Sequence, residues 1–311
     1  MGWRNGLTRS EPMRFNFLQY SMAFAIPKYL TGLSAWIGHA PFAFALMEMM
    51  RPSTFVELGT HAGDSYCVFC QAVDALKLQT TCTAIDTWTG DEHTGRYGQE
   101  IYQRLRQYHD PLYGRFSRLL RTTFDAAAEQ FADGSVDLLH LDGLHTYDAV
   151  RKDLQTWLPK MSGGGVILIH DTVERQRDFG AWKVWEEVCA RYPNFAFVHA
   201  HGLGVLGVGS NLGEAVLRFF REANEDAEYV RTAFGRLGEG VAHLQTVMFT
   251  MQGAAQIQAI IDEWKRQTGQ AGVAPEIAQA SASPALFNSA LIEQVRLIAR
   301  ENLSLRRGSP Q

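Results

Sequence analysis

The sequence predicts an α/β fold: a mostly parallel sheet of seven strands with helices on both faces, N-terminal helices before it and a C-terminal helical tail after it. Three observations lead there. From Pro52 onward, apolar runs of strand length alternate with segments whose apolar residues recur at helical spacing. Glycines or small polar residues punctuate the joints. The last two apolar runs, "FAFVHA" and "LGVLGVG", face each other across Gly202 and read as an antiparallel closing pair.

In order, "TFVELG" is a strand, "DSYCVFCQAVDAL" a helix and "CTAID" a second strand. "RLLRTTF" is a third strand, followed by the helix "DAAAEQFA" and the strand "VDLLHLD", whose apolar run is Val136 to Leu141. Asp148 to Leu158 has the spacing of an amphipathic helix; the turn Gly163 to Gly165 leads into "VILIHD", and "AWKVWEEVCARY" is the helix before the closing pair. Strands that alternate with helices imply a sheet covered on both faces. The expected division is an N-terminal helical segment at 1–51, a core domain at 52–210 and a helical extension at 211–311. Within the extension, 268–284 reads as a linker rich in Gly, Ala, Ser and Gln before a last helix from Leu286 to about Arg306. That helix either pairs with a partner or a second copy, or packs on its own chain. The terminal helices are therefore the expected route to a homo-oligomer.

Composition narrows the function. A chain of 311 residues with 46% hydrophobic and 20% charged residues supports a buried core in an ordinary water-soluble balance. A formal charge of -4 and a pI near 6.2 offer no general attraction to phosphate backbones, so nucleic acid is not the expected partner. Cysteines stand at 67, 70, 82 and 189 with no secretory pattern, which fits a reducing, cytoplasmic setting. Cys67 and Cys70 form a C-x-x-C without a second pair or His partner for zinc, and read as helix packing residues. Phe15 to Met50 is apolar, but Pro27, Lys28, His39 and Pro41 interrupt it before ~20 clean residues, so no membrane span is expected.

The first strand-to-helix turn, "VELGTHAGDS", carries Gly59 and Gly63 but not the G-x-G-x-x-G of a dinucleotide site. Glu57 and Asp64 also argue against a pyrophosphate. An acidic strand residue with glycines at the turn suits a ligand with an ammonium and no phosphate, such as the methionine end of S-adenosylmethionine, with Ser65 toward its carboxylate. Asp86, ending the second strand, is placed to accept ribose hydroxyls as in Rossmann-like folds. Thr87 and Trp88 follow as residues to flank an adenine. Further on, Asp142 and His145 stand three residues apart in a turn after a strand, where open parallel sheets line their ligand crevice. They are either catalytic or a helix start with an incidental histidine.

The chain resembles the class I methyltransferases, in particular a bacterial family akin to macrolide-sugar O-methyltransferases and, more distantly, catechol O-methyltransferase. "FVELGTHAGDSY", "CTAIDTW", "HLDGLHTYDAVRKDL" and "GGGVILIHDT" carry the likeness in order, and "GAWKVWEEV" and "HGLGVLGVG" extend it to about Ser210. The resemblance implies that Gly59, Thr60, Gly63 and Ser65 wrap the methionine end, Asp86 the ribose, and Thr123 with Phe124 the adenine edge. It implies Asp142 as a metal ligand, His145 as the general base, and His170 and Asp171 at positions of further ligands. His170 departs from the all-oxygen pattern: magnesium prefers oxygen, whereas imidazole suits Mn, Fe, Co or Zn. Either a transition metal binds, or His170 turns away.

A histidine with an ordinary pKa near ~6.5 accepts a proton at physiological pH, which is what attack by a hydroxyl on a sulfonium methyl requires. Asp148 and Asp153 read as helix-start charges. The polar stretch Thr87 to Glu100 reads as a lid offering His93, Arg96 and Tyr97, and "ERQRDFG" offers Arg175 and Arg177 for an anionic acceptor. His199 and His201 flank the last strands. The expected activity is S-adenosylmethionine-dependent O-methylation of a sugar, glycan or secondary metabolite, with a divalent metal (Mg, Mn or Fe) assisting. The alternatives are a metal-dependent hydroxylase on the same scaffold and a non-catalytic cofactor-binding protein that docks a partner.

Overall fold

The computed structural model describes residues 15–32, 34–93 and 95–268. The predicted linker beyond Thr268 and the predicted last helix lie outside the described residues. The chain divides into two compact units, Met1–Val241 and Ala242–Gln311.

The first unit opens with three 3₁₀ turns, Phe17–Gln19, Ser21–Phe24 and Ala35–His39, and then α1, Ala40–Met50. The N-terminal helices of the prediction are thus one α-helix and three short turns, because Pro27 and left-handed Gly32 break the apolar run. Pro41 sits in the first turn of α1, where its missing N–H costs nothing, and Arg51 ends the helix with φ 47°. Next come β1 (Thr54–Leu58), α2 (Asp64–Ala75), β2 (Thr81–Asp86) and a small hairpin of β3 (Gly90–Asp91) and β4 (Gly95–Arg96). After them stand α3 (Gln99–Tyr113), β5 (Ser117–Arg121), α4 (Phe124–Ala128), β6 (Val136–Leu141), α5 (Tyr147–Trp157) and β7 (Met161–His170). The series ends with α6 (Ala181–Val188), β8 (Asn194–Phe197), β9 (Leu203–Gly207), α7 (Glu214–Glu225) and α8 (Ala227–Thr268). The second unit begins at Ala242, and its described part is the remainder of α8.

The seven strands form one sheet in the order β5-β2-β1-β6-β7-β9-β8, with β9 antiparallel to both β7 and β8 and the rest parallel. Alternating side chains feed two cores. Phe55, Leu138 and Leu168 face the layer of α1, α2 and α7, whereas Val56, Leu139 and Ile167 face Ala127 of α4, Trp157 of α5 and Val184 of α6. Each such fully buried side chain stabilises the fold by roughly 1.5–3 kcal/mol. Cys67 and Cys70 pack in the first core as free thiols. Strand order reverses between β1 and β6, and in open α/β sheets ligands bind outside the carboxyl ends of the strands at such a switch point. Among the described residues no helix is long and apolar enough to cross a membrane.

Two local expectations are revised. Helix α3 occupies the end of the predicted lid and the residues after it; its charged surface and Pro111 hide the helical period. Asp153 is not a helix-start charge: only Asp148 lies in the first turn of α5. Burial, and then the neighbouring Asp125 carboxylate, push the Asp153 carboxyl up to about 7. A carboxyl whose pKa rises on folding destabilises the native state above that pKa and not below its unfolded value. Asp153→Asn is therefore expected to leave thermal stability unchanged near pH 4, to gain progressively as pH rises, and to show its full gain above about pH 7. Melting curves across that range check it.

Candidate active site

The crevice is built by close backbone approach. Gly59 continues β1 at φ +85°, its N–H donates to the Ile85 carbonyl at 2.9 Å, and the Asp142 N–H donates to the Leu58 carbonyl at 2.8 Å. A Cβ on Gly59 would lie 2.2 Å from the Asp142 carbonyl oxygen, so only glycine allows the turns after β1 and β6 to meet. Gly63, at φ +88°, leaves no room for a Cβ against Leu105 and starts α2. Asp86, at the end of β2, shapes the same loop: Oδ2 accepts from the Thr60 and His61 N–H groups at 3.0 and 2.8 Å, and Oδ1 from Trp88 N–H at 2.7 Å.

One cavity of about 400 Å³ runs along these turns. Of the residues predicted to bind cofactor, Gly59, Thr60, Gly63, Ser65, Asp86, Thr87, Thr123 and Phe124 line it. Glu57 and Trp88 do not. Glu57 is fully buried beneath the loop, where Oε2 accepts from His140 Nδ1 at 2.9 Å; the Trp36 indole N–H donates to His140 Nε2 at 3.0 Å and so fixes that tautomer. Trp88 is buried with its indole N–H on the His61 carbonyl at 2.8 Å, a brace for the loop instead of a wall for a base.

Opposite the glycine loop, Asp142, His145, His170 and Asp171 converge on the cavity. His170 Nδ1 lies 2.8 Å from Asp142 Oδ1 and 3.4 Å from Asp171 Oδ1. His145 Nε2 lies 3.4 Å from Asp142 Oδ1 and 3.3 Å from Asp171 Oδ2. His170 Nε2 faces the Ala200 carbonyl at 3.0 Å and must donate to it, since a carbonyl only accepts. Burial opposes the charged form of His170, but Asp142 and Asp171 together outweigh it and raise its pKa to about 9. Burial lowers the pKa of His145 and wins over the same carboxylates, so this ring is neutral at pH 7. Asp142 stays below the usual carboxylate range because His170 offsets its burial. Asp171 itself is held at φ +61°, a strained backbone of the kind that clusters at functional sites.

The two loops predicted to shape an acceptor site meet over His145. Phe179 stacks at 5° on His145 with ring centroids 5.5 Å apart, and at 5° on His93 at 4.3 Å. His93 Nε2 bonds Asp178 Oδ1 at 2.7 Å, and the Gly180 N–H donates to the His145 carbonyl at 2.7 Å. Of the lid candidates Tyr97 lines the cavity, whereas His93 and Arg96 do not. Arg175 turns away, its guanidinium 4.1 Å from the Trp182 ring centroid, and neither it nor Arg177 reaches the cavity. His201 lines it and His199 does not. Sequence reading missed His61, Asp91 and the stretch Ser34–Trp36, which also line the cavity. That stretch is anchored next to the site, because Asp64 accepts from both the N–H and the hydroxyl of Thr31. No local pattern marks such a wall.

Residues 56–172 match the family described as "Methyltransferase domain". Among curated proteins, the uncharacterized protein y4gI of Sinorhizobium fredii is 43% identical over 248 residues, which cover 78% of this chain and 27% of that protein. The chain thus spans about a quarter of that relative's length. Among solved structures, the O-methyltransferase TomG of Streptomyces achromogenes, in complex with SAM, is 13% identical with a TM-score of 0.43, covering 64% of this chain and 99% of that one. The SAH-bound Podospora anserina methyltransferase PaMTH1 is 14% identical with a TM-score of 0.41, covering 54% and 76%.

Breaking a buried pair leaves one charge without its partner and costs roughly 3–5 kcal/mol. Because Asp171 stays beside His170, Asp142→Asn is expected to destabilise the protein by less than that and to bring the His170 pKa down from about 9. Denaturant unfolding and an imidazole NMR titration measure the two effects.

Proposed function

We propose that this chain carries a class I S-adenosylmethionine-dependent methyltransferase domain that transfers a methyl group to a hydroxyl of a sugar, glycan or secondary metabolite. The observation that carries the reading is the single cavity joining the Gly59–Ser65 loop and Asp86 to the Asp142, His145, His170 and Asp171 cluster. S-adenosylmethionine supplies the methyl group and its own leaving group. The protein's part is to orient the acceptor and remove its proton. His145 is neutral, faces the cavity and stands between two carboxylates, which stabilise the imidazolium formed when it takes that proton. Among the described residues the cavity lining contains no Lys or Arg, which favours an uncharged hydroxyl acceptor over a phosphate or carboxylate.

The residues also fit a divalent cation. With Nε2–H held on Ala200, a neutral His170 would present the Nδ1 lone pair toward Asp142, the arrangement that orients metal-ligating histidines. Asp142, His170 and Asp171 would hold the ion and leave His145 as base. Bound there, it would lower the pKa of the acceptor hydroxyl. A second reading rests on a different set: donor atoms of Asp142, His145 and His170 all lie within 4.8 Å of one another. Two histidines and one carboxylate are the composition of the non-haem iron oxygenases, which supports an iron-dependent hydroxylase in which His145 is a ligand.

The first reading is tested by calorimetric titration of metal-stripped protein with S-adenosylhomocysteine, alone and with Mg, Mn or Fe(II), followed by methylation assays. Micromolar binding is expected, with His145→Ala keeping that affinity while losing transfer to hydroxyl acceptors. Absence of binding under every condition would sink it. Fe(II)-dependent oxygen uptake abolished in His145→Ala would favour the hydroxylase.

A further inference from the structure

Behind the site lies a buried brace that the proposed chemistry does not use. His39, at the end of the third 3₁₀ turn, is fully buried, and its Nε2 stands 3.1 Å from the Ala200 carbonyl. The same oxygen takes the Nε2–H of His170 at 3.0 Å. Since a carbonyl can only accept, both imidazoles donate to it and saturate its two lone pairs. The cross-brace is reciprocal, for His199 Nε2 donates to the Gly38 carbonyl at 3.2 Å, and the His39 and His199 rings lie 4.6 Å apart. Gly38 is needed for the fit, as a Cβ there would meet the Ala200 Cβ at 3.0 Å.

This arrangement is costly. His39 Nδ1 is buried without a hydrogen-bond partner, which leaves its desolvation uncompensated. Ala200 and His201 are consecutive non-glycine residues at φ +46° and +66°, a strained conformation that persists only where the surroundings enforce it. Apolar packing at position 39 would avoid the first cost. What a phenyl ring there could not do is hold the Ala200 carbonyl.

We infer that His39 is a positioning residue: by sharing the Ala200 carbonyl with His170, it fixes the strained turn whose carbonyl keeps the proton on His170 Nε2 and so turns His170 Nδ1 to the Asp142 side. The next residue in that turn, His201, reaches the cavity, so the brace sets part of its wall as well. His39 lies outside the segment that matches the methyltransferase family.

The test compares wild type with His39→Phe, which keeps a ring and loses the donor, and His39→Gln, which restores an N–H near the Nε2 position. In metal-free protein, hydrogen exchange of the His170 Nε2–H is followed by imidazole NMR, with the Trp36 indole N–H as control for general loosening. His39→Phe should accelerate His170 Nε2–H exchange by about tenfold or more, leave the Trp36 signal unchanged, and be rescued by Gln. Where His39→Phe does not fold, Ala200→Gly, which frees the turn to swing, carries the same expectation. A second measurement titrates Mn(II) into each protein. If the cation reading above holds, His39→Phe should weaken affinity by about 10- to 100-fold, as loss of an outer-shell partner does. An unchanged His170 exchange rate, or equal acceleration at Trp36, would overturn the inference. Wild-type protein that binds no Mn(II) would defeat only the cation reading, and the exchange experiment would still decide the role of His39.

Discussion

The site depends on a contact between two pieces of backbone. Where strand order reverses, the turn after β1 touches the turn after β6, and the hydrogen of Gly59 is all that fits against the Asp142 carbonyl. The Gly59–Ser65 loop and the Asp142–His145 turn both start from this contact. Asp86 holds the first through the Thr60 and His61 N–H groups, and the ladder bond from Asp142 to Leu58 sets the second against it. The glycine loop and the acid–histidine cluster are therefore fixed relative to each other by the sheet. Transfer between two bound molecules needs that rigidity, because small errors in approach are expensive in rate.

The electrostatics follow from the same placement. Two aspartates and two histidines, each largely buried, share one pocket. Their environments differ enough to pull the histidines apart: one is bonded on both nitrogens and kept charged, the other is stacked on Phe179 and kept neutral. Such divergence between neighbouring groups of one type separates a structural or ligand role from a proton-transfer role.

The strands and their antiparallel closing pair were legible in the sequence, because a sheet covered on both faces writes itself as apolar runs, and most of the strand-end residues singled out there line the cavity. Glu57 was misplaced for a reason periodicity contains: alternation along β1 turns it to the same face as Phe55, toward Trp36 and His140 and away from the cavity. Trp88 looked like a stacking wall, but its N–H found a carbonyl and its ring a place under the loop. Helix α3 stayed hidden behind its charges and Pro111. The pairing of His93 with Asp178 and the convergence of His39 and His170 on Ala200 join residues far apart in sequence, and no local pattern announces them.

The stretch Ser34–Trp36 lies outside the family segment yet walls its cavity. Floor and wall are consequently under separate constraints. The floor is bound by strand register and glycine geometry and has little freedom to drift, while Ser34 and Ala35 sit in a short 3₁₀ entry where replacement disturbs no sheet hydrogen bond. What the cavity admits can therefore be altered by replacement within this preceding segment while the strand-end turns beneath it keep their register.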